Sequence, residues 1–270
     1  MSISLSFSTL ACFDWPWNKI VDHAAQWGFQ GIEVRFVNNV RDIAHAPDFL
    51  PAQIGQTKAE AEKRGLKICC VDSSAILTNS EAVNLEHGRR CIEIAQGLGS
   101  PFVRIFGGKP NEGMSFEENM DLAAEKWIKL ADYGQSRDVE VLIEAHDHFT
   151  KSDRIQKLLK RVNHPSAGVL WDIHNPFRQD GEPVATFWQN LGAHVRHVHV
   201  KDSKGDKKSF AYCPCGEGNV PLREAVVLMK KAGWEGCLSV EWELAWHPEL
   251  APAAEIMPQY RQKLLEYLAG

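Results

Sequence analysis

The stretch Ala193-His194-Val195-Arg196-His197-Val198-His199-Val200-Lys201-Asp202 alternates polar and apolar residues from His197 to Lys201, as a strand does. A period of two puts His197 and His199 on one face, with Val198 and Val200 on the other. An aliphatic face for a neighbouring layer and imidazoles opposite it suit a barrel strand that carries a metal ligand near its C-terminal end. Taken alone, the pattern also fits an edge strand with solvated histidines. Three other strand-like runs end in a carboxylate, and these are Val139 to Glu144, Ala167 to Asp172 and Gly236 to Glu241. The residues two positions back are Leu142, Leu170 and Ser239, apolar or small as a filled interior requires. Three carboxylates converging on one histidine repel one another unless a cation sits among them. Glu144, Asp172, His199 and Glu241 together suit one divalent ion (Mn²⁺, Mg²⁺, Zn²⁺ or Co²⁺), and ligand type alone does not choose among these. Each residue has a plainer reading: Asp172 as a helix N-cap, and one of Glu241 and Glu243 as a surface group. Their place on four consecutive strands at one height favours the metal.

The elements that must position these residues alternate along the whole chain. Strands are expected at Ser4–Ser8, Gly31–Arg35, Leu66–Val71, Phe102–Phe106, Val139–Glu144, Ala167–Asp172, the stretch around His199, and Gly236–Glu241. Helices are expected from Pro16 to Trp27, Pro51 to Arg64, Glu81 to Gln96, Ser115 to Tyr133, Ser152 to Val162, Pro183 to Leu191, Pro221 to Ala232 and Pro248 to Leu268. Gly28 is placed to cap the first helix, and Ser115-Phe116-Glu117-Glu118 has the form of a capping box. Alternating strands and helices imply βαβ units and a parallel sheet, which right-handed crossovers close into a barrel. A length of 270 residues fits one (β/α)8 TIM barrel spanning 1–270 as a single α/β domain. An open doubly wound sheet is disfavoured, because no Gly-x-Gly-x-x-Gly follows the first strand.

Composition sets outer bounds. A hydrophobic fraction of 44% allows a large core. A net charge of −5, with basic residues at most paired as in Lys207-Lys208, argues against a nucleic-acid partner. The N-terminus Met1-Ser2-Ile3-Ser4-Leu5 has no leader pattern, and no apolar run is long enough for a membrane span. Seven cysteines, including the closely spaced Cys69-Cys70 and Cys213-Pro214-Cys215, point to reduced thiols and a cytoplasmic location. Cys213 and Cys215 lack a second pair to complete a four-ligand site.

Leu142-Ile143-Glu144-Ala145-His146, Leu170-Trp171-Asp172-Ile173-His174, His197-Val198-His199-Val200-Lys201-Asp202, Gly216-Glu217-Gly218 and Leu238-Ser239-Val240-Glu241-Trp242-Glu243 occur in that order. This set resembles the sugar phosphate isomerase/epimerase group of the xylose isomerase-like TIM barrels. The resemblance covers roughly the second half of the chain, and the first half agrees in strand rhythm and in Gly31-Ile32-Glu33. It implies that Glu144, Asp172, His199 and Glu241 bind one divalent metal, and that Glu144 and Glu241 flank a small carbohydrate substrate as the acid/base pair. Isomerising or epimerising such a ketose or polyol derivative passes through an enediolate whose charge a metal stabilises, and two carboxylates can remove and return the proton. A dimer or tetramer is also in keeping with the group. Many of its members have a histidine three residues after the strand-six aspartate, where this chain has Asn175, which donates a hydrogen bond but carries no proton.

Other residues near the strand ends are weaker candidates for substrate contact. His146 and His174 lie close to Glu144 and Asp172, and Lys201 and Asp202 follow His199, with Asp202 a candidate second-layer group. Arg104 suits a carboxylate or phosphate, or a structural ion pair. Glu33 and Arg35 are expected to pair with each other. Trp15, Trp17 and Trp242 offer apolar walls for a sugar ring or simply pack. His23, His45, His87, His164 and His247 are expected in solvent. An inosose dehydratase-like lyase on the same metal is the main alternative. An endonuclease-like enzyme would need further ligands and a basic face. A sugar-binding relative without catalysis is the third alternative, hinted at only by Asn175.

Overall fold

Period-two runs rich in Val and Ile alternate with amphipathic helical runs, and the computed structural model closes the former into a barrel. It describes residues 3–79, 81–207 and 209–270; Met1 and Ser2 of the N-terminal reading and Lys208 of the lysine pair lie outside these. The first seven barrel strands are β1 (Ser4–Ser8), β2 (Gly31–Val34), β3 (Lys67–Ile76), β4 (Phe102–Phe106), β5 (Glu140–Glu144), β6 (Ala167–Asp172) and β7 (Val195–Val200). An antiparallel hairpin follows, β8 (Asp202–Gly205) and β9 (Phe210–Cys213), and the last barrel strand is β10 (Cys237–Val240). All eight barrel strands run parallel, and β1 pairs with both β2 and β10 to close the ring. Around it lie α1 (Trp17–Trp27), α2 (Ile54–Glu62), α3 (Ala82–Leu98), α4 (Phe116–Gln135), α5 (Ser152–Val162), α6 (Val184–Leu191), α7 (Leu222–Lys231) and α8 (Ala253–Ala269).

The local signals act as expected. Gly28 ends α1 at φ 78°, a conformation that costs a residue with a Cβ far more. At α4, Ser115 Oγ accepts from the Glu118 N–H at 3.2 Å, and Glu118 accepts from the Ser115 N–H at 2.7 Å. The main core lies between the outward strand faces and the helices. There Trp127 of α4 is fully buried and donates from its indole to the Val141 carbonyl at 3.0 Å. Trp127→Ala is therefore expected to cost about 3–5 kcal/mol in chemical denaturation, through a cavity and the lost indole hydrogen bond.

Inside the barrel Cys70, Leu142 and Leu170 form a small apolar layer. That layer lies below the polar mouth, as the inward parity of Leu142 and Leu170 required.

Three departures matter for the site. Strand β3 runs on past Val71 to Ile76 because the polar run Asp72-Ser73 finds partners on β4: Ser73 Oγ donates to the Arg104 carbonyl at 2.6 Å. The segment expected to end with Asp202 instead turns into the β8–β9 hairpin, whose return strand holds Tyr212 and Cys213. Helices α2 and α8 begin at Ile54 and Ala253, later than Pro51 and Pro248. Among the described residues no helix is long and apolar enough to cross a membrane.

Candidate metal centre

Strand alternation delivers a carboxylate or imidazole to the C-terminal mouth from each of four neighbouring strands. One ligand atom each from Glu144, Asp172, His199 and Glu241 lies within 4.8 Å of the other three, and all four residues are buried. Glu144 and Asp172 are the last residues of β5 and β6. His199 sits one short of the end of β7, and Glu241 one past the end of β10. His199 Nδ1 faces Glu144 Oε1 at 3.3 Å and Glu241 Oε1 at 3.4 Å. Both ring nitrogens of His199 are buried without a well-formed hydrogen bond, whereas Glu144 Oε2 and Asp172 Oδ2 lie against the cations of Arg104 and Lys201. Buried polar atoms left in that state ordinarily have a partner, and one nitrogen with three carboxylates is a donor set that fits a divalent cation.

The second oxygen of each glutamate rests on a cation. Arg104 Nε lies 3.2 Å from Glu144 Oε2, and Lys201 Nζ lies 2.5 Å from Glu241 Oε2. Burial alone would raise both carboxyls. Arg104 and His199 together outweigh it and hold Glu144 down at about 2, while His199 and Lys201 hold Glu241 well below the usual carboxylate range. Asp172 differs: burial lifts it to about 6, only partly offset by Lys201 at 2.8 Å. Its Oδ1 also accepts the Asn175 backbone N–H at 2.9 Å, so the capping reading holds for one oxygen while the other turns to the site.

Most other sequence candidates are engaged by the protein. Arg104 donates to the Ser73 carbonyl at 3.0 Å and pairs with Asp72 and Glu144, which makes it a structural bridge. Lys201 has Asp172, Glu241 and Glu243 within 2.8 Å of its Nζ. Asp202 Oδ2 accepts from Gly216 and Gly218, and its Oδ1 accepts from Ser203 and Val220, so it ties down the loop after the hairpin. A Cβ at Gly218 would collide with that carboxylate and with the Ser203 carbonyl, which explains the Gly216-Glu217-Gly218 pattern. Asn175 donates to the Ala145 carbonyl at 3.2 Å. Buried His174 meets Ser203 Oγ at 3.0 Å and packs on Phe210 and Tyr212. His146 is the accessible one, its side chain 38% exposed beside Phe106.

Several expectations are corrected. Glu33 does not pair with Arg35. Its Oε2 meets His197 Nε2, and its Oε1 lies 3.0 Å from His199 Nε2, because strand parity turns all three into the barrel. Arg35 instead donates through Nη1 to the Asp72 carbonyl and Ser74 Oγ. Trp17 and Trp242 are buried and donate to the Thr57 and Ala251 carbonyls, which is the packing reading and not that of an exposed wall. His87 and His164 are largely enclosed, since the first accepts from the Ser74 N–H and the second meets Asp132. Among the described residues, neither Cys213 nor Cys215 belongs to a cluster able to hold a metal. Two participants were missed, Glu33 as partner of His199 and Asp72 as partner of Arg104. Parity of two from His199 to His197 and from Cys70 to Asp72 was the available signal.

A closed parallel barrel with a buried carboxylate–imidazole cluster at the C-terminal ends of its strands defines a class of single-domain barrel in which the mouth carries the chemistry. The chain belongs to the xylose isomerase-like TIM barrel family, whose sequence profile matches residues 21–263. It is 27% identical over 237 residues to fructoselysine 3-epimerase of Shigella flexneri, covering 81% of this chain and 82% of that one. The fold is shared with the IOLI protein solved with a bound zinc atom, at a TM-score of 0.81 and 16% identity over 99% of this chain and 98% of that one. It is also shared with the probable 3-DHS dehydratase AsbF from Bacillus anthracis, at a TM-score of 0.79 and 18% identity over 97% and 99%.

Proposed function

We propose that this protein is a metal-dependent isomerase or epimerase of a small ketose or polyol derivative. The observation that carries the reading is the convergence of Glu144, Asp172, His199 and Glu241 on one buried point. The epimerase relative, matched over most of its length, supports the reaction class. When bound, a divalent ion there would supply positive charge for the oxygens of an enediolate. The residues do the rest. Arg104 and Lys201 each take one oxygen of Glu144 and Glu241, leaving the other turned to the shared site. Both carboxylates are thereby aimed inward: one, ionised, removes the proton next to a carbonyl and, as the resulting acid, returns it to the adjacent carbon, while inversion takes its proton from the other glutamate once that group has itself been protonated from solvent.

Glu33 completes the centre. With its carboxylate at His199 Nε2, the ring is held with Nδ1 towards the other three ligands. Glu33→Gln is expected to weaken Mn²⁺ or Zn²⁺ binding about 10–100-fold, measured by calorimetry, while Glu33→Asp recovers part of it.

The reaction class is tested by incubating the metal-loaded protein with a panel of ketoses and inososes in D₂O. Deuterium carried into product or recovered substrate at the carbon next to the carbonyl, with no loss of water, supports isomerisation or epimerisation. A product lighter by one water establishes the lyase alternative, which the fold shared with a probable dehydratase keeps in view. The same barrel mouth without deuterium exchange on any substrate overturns both. All seven cysteines are free thiols, which supports a reducing, cytoplasmic location.

A further inference from the structure

The mouth holds a second polar feature that the metal centre does not use. The alternation of β2, continued one residue past its end, turns Arg35 inward one step above Glu33, where it is only 7% exposed. It is locked in place: its backbone N–H donates to Thr9 Oγ1 at 2.8 Å, and its guanidinium carbon lies 4.5 Å over the Phe36 ring. Nη1 is spent on the Asp72 carbonyl at 3.1 Å and Ser74 Oγ at 2.9 Å. Nε and Nη2 meet no acceptor, and no carboxylate lies within ion-pair distance of Arg35, among the described residues. Arg104 is the contrast, since Asp72 and Glu144 neutralise it. A buried guanidinium without a counter-ion is costly and calls for an anion from outside the chain.

The geometry points to a carboxylate subsite on Arg35: the substrate is a small keto acid or sugar acid whose carboxylate docks on the free Nε/Nη2 edge while its carbonyl end reaches the metal centre. That edge presents two parallel donors, which match the two oxygens of a carboxylate. Ser74, an exposed residue fixed by the His87 contact to its N–H, stands beside it as a further donor. The distance to the chemistry is short. The guanidinium carbons of Arg35 and Arg104 lie 6.0 and 3.9 Å from the centre of the same Phe106 ring, and Arg104 touches Glu144. Burial, and then the nearby Arg104, lower the Arg35 guanidinium to about 10, against the partial support of the more distant Asp72 and Glu144 carboxylates.

The inference rests on the isomerase reading only for where the reacting carbon lies, so its test reads binding. Calorimetry on the metal-loaded protein compares D-fructuronate, D-fructose and D-fructose 6-phosphate, which share a carbon skeleton and differ at one end. We expect fructuronate to bind at least about tenfold more tightly than fructose, and R35Q to reduce that preference to within about threefold. R35K keeps the charge without the fork and falls between; it decides the matter should R35Q fail to fold. Equal binding of fructuronate and fructose, binding of neither, or a preference that survives in R35Q and R35K overturns the subsite. Tighter binding of fructose 6-phosphate overturns the carboxylate in favour of a phosphate. Loss of proton exchange in the isomerase assay leaves these affinities untouched, so the two readings fail separately.

Discussion

Glu144→Gln and Glu241→Gln are each expected to lower turnover of the metal-loaded protein by about 10²–10⁴-fold on whatever ketose or polyol it isomerises. The substitution keeps size and one oxygen but removes the carboxylate charge that accepts the proton. Its structural cost is contained for Glu144, because the amide oxygen can still face Arg104 Nε, now 3.2 Å from the carboxylate. Lys201 keeps Asp172 and Glu243 when Glu241 is replaced. The diagnostic reading is the exchange of the substrate proton with solvent. If one glutamate removes it and the other returns it, each variant loses net conversion, while the variant that keeps the base still washes deuterium into recovered substrate. Full turnover in both variants would sink the two-carboxylate mechanism.

His199→Ala is expected to abolish stoichiometric metal binding. Plasma mass spectrometry on protein purified without chelator should find about one divalent ion per chain in the wild type and little in the variant. His199 is the only nitrogen donor among the four converging residues, and its ring separates Glu33 from Glu144 and Glu241. Removing it leaves buried carboxylates facing one another across a void. Stripping the metal from the wild type should likewise cost stability. An ion present at a thousand times its dissociation constant contributes about 4 kcal/mol, or roughly 10 °C in midpoint for a chain of this size. Wild-type protein that binds no ion even after soaking with Mn²⁺ or Zn²⁺, and whose melting is indifferent to chelator, would leave the cluster as a polar mouth without a metal role.

Much of this was readable in the residues. Strand parity alone places Glu144, Asp172, His199 and Glu241 inward at one end of a barrel, because a period of two allows each strand only one choice of face once its apolar side is known. Helix ends were equally local: Gly28 and the Ser115 capping box are decided within one turn of chain. What tertiary structure alone decided was partnership. Glu33 on β2 and Arg35 just past its end are two residues apart and look like a pair. Yet same-face neighbours on a strand point in parallel, and their partners come from across the barrel: His197 and His199 for one, the Asp72 carbonyl and Ser74 for the other. Asp72 and Ser73 seemed to end a strand that β4 in fact continues, since interstrand bonds override local polarity. Asp202 sits just past the strand that carries His199 and instead anchors a glycine loop through four N–H groups. Periodicity determines which way a side chain points; only closure of the barrel determines what it meets there.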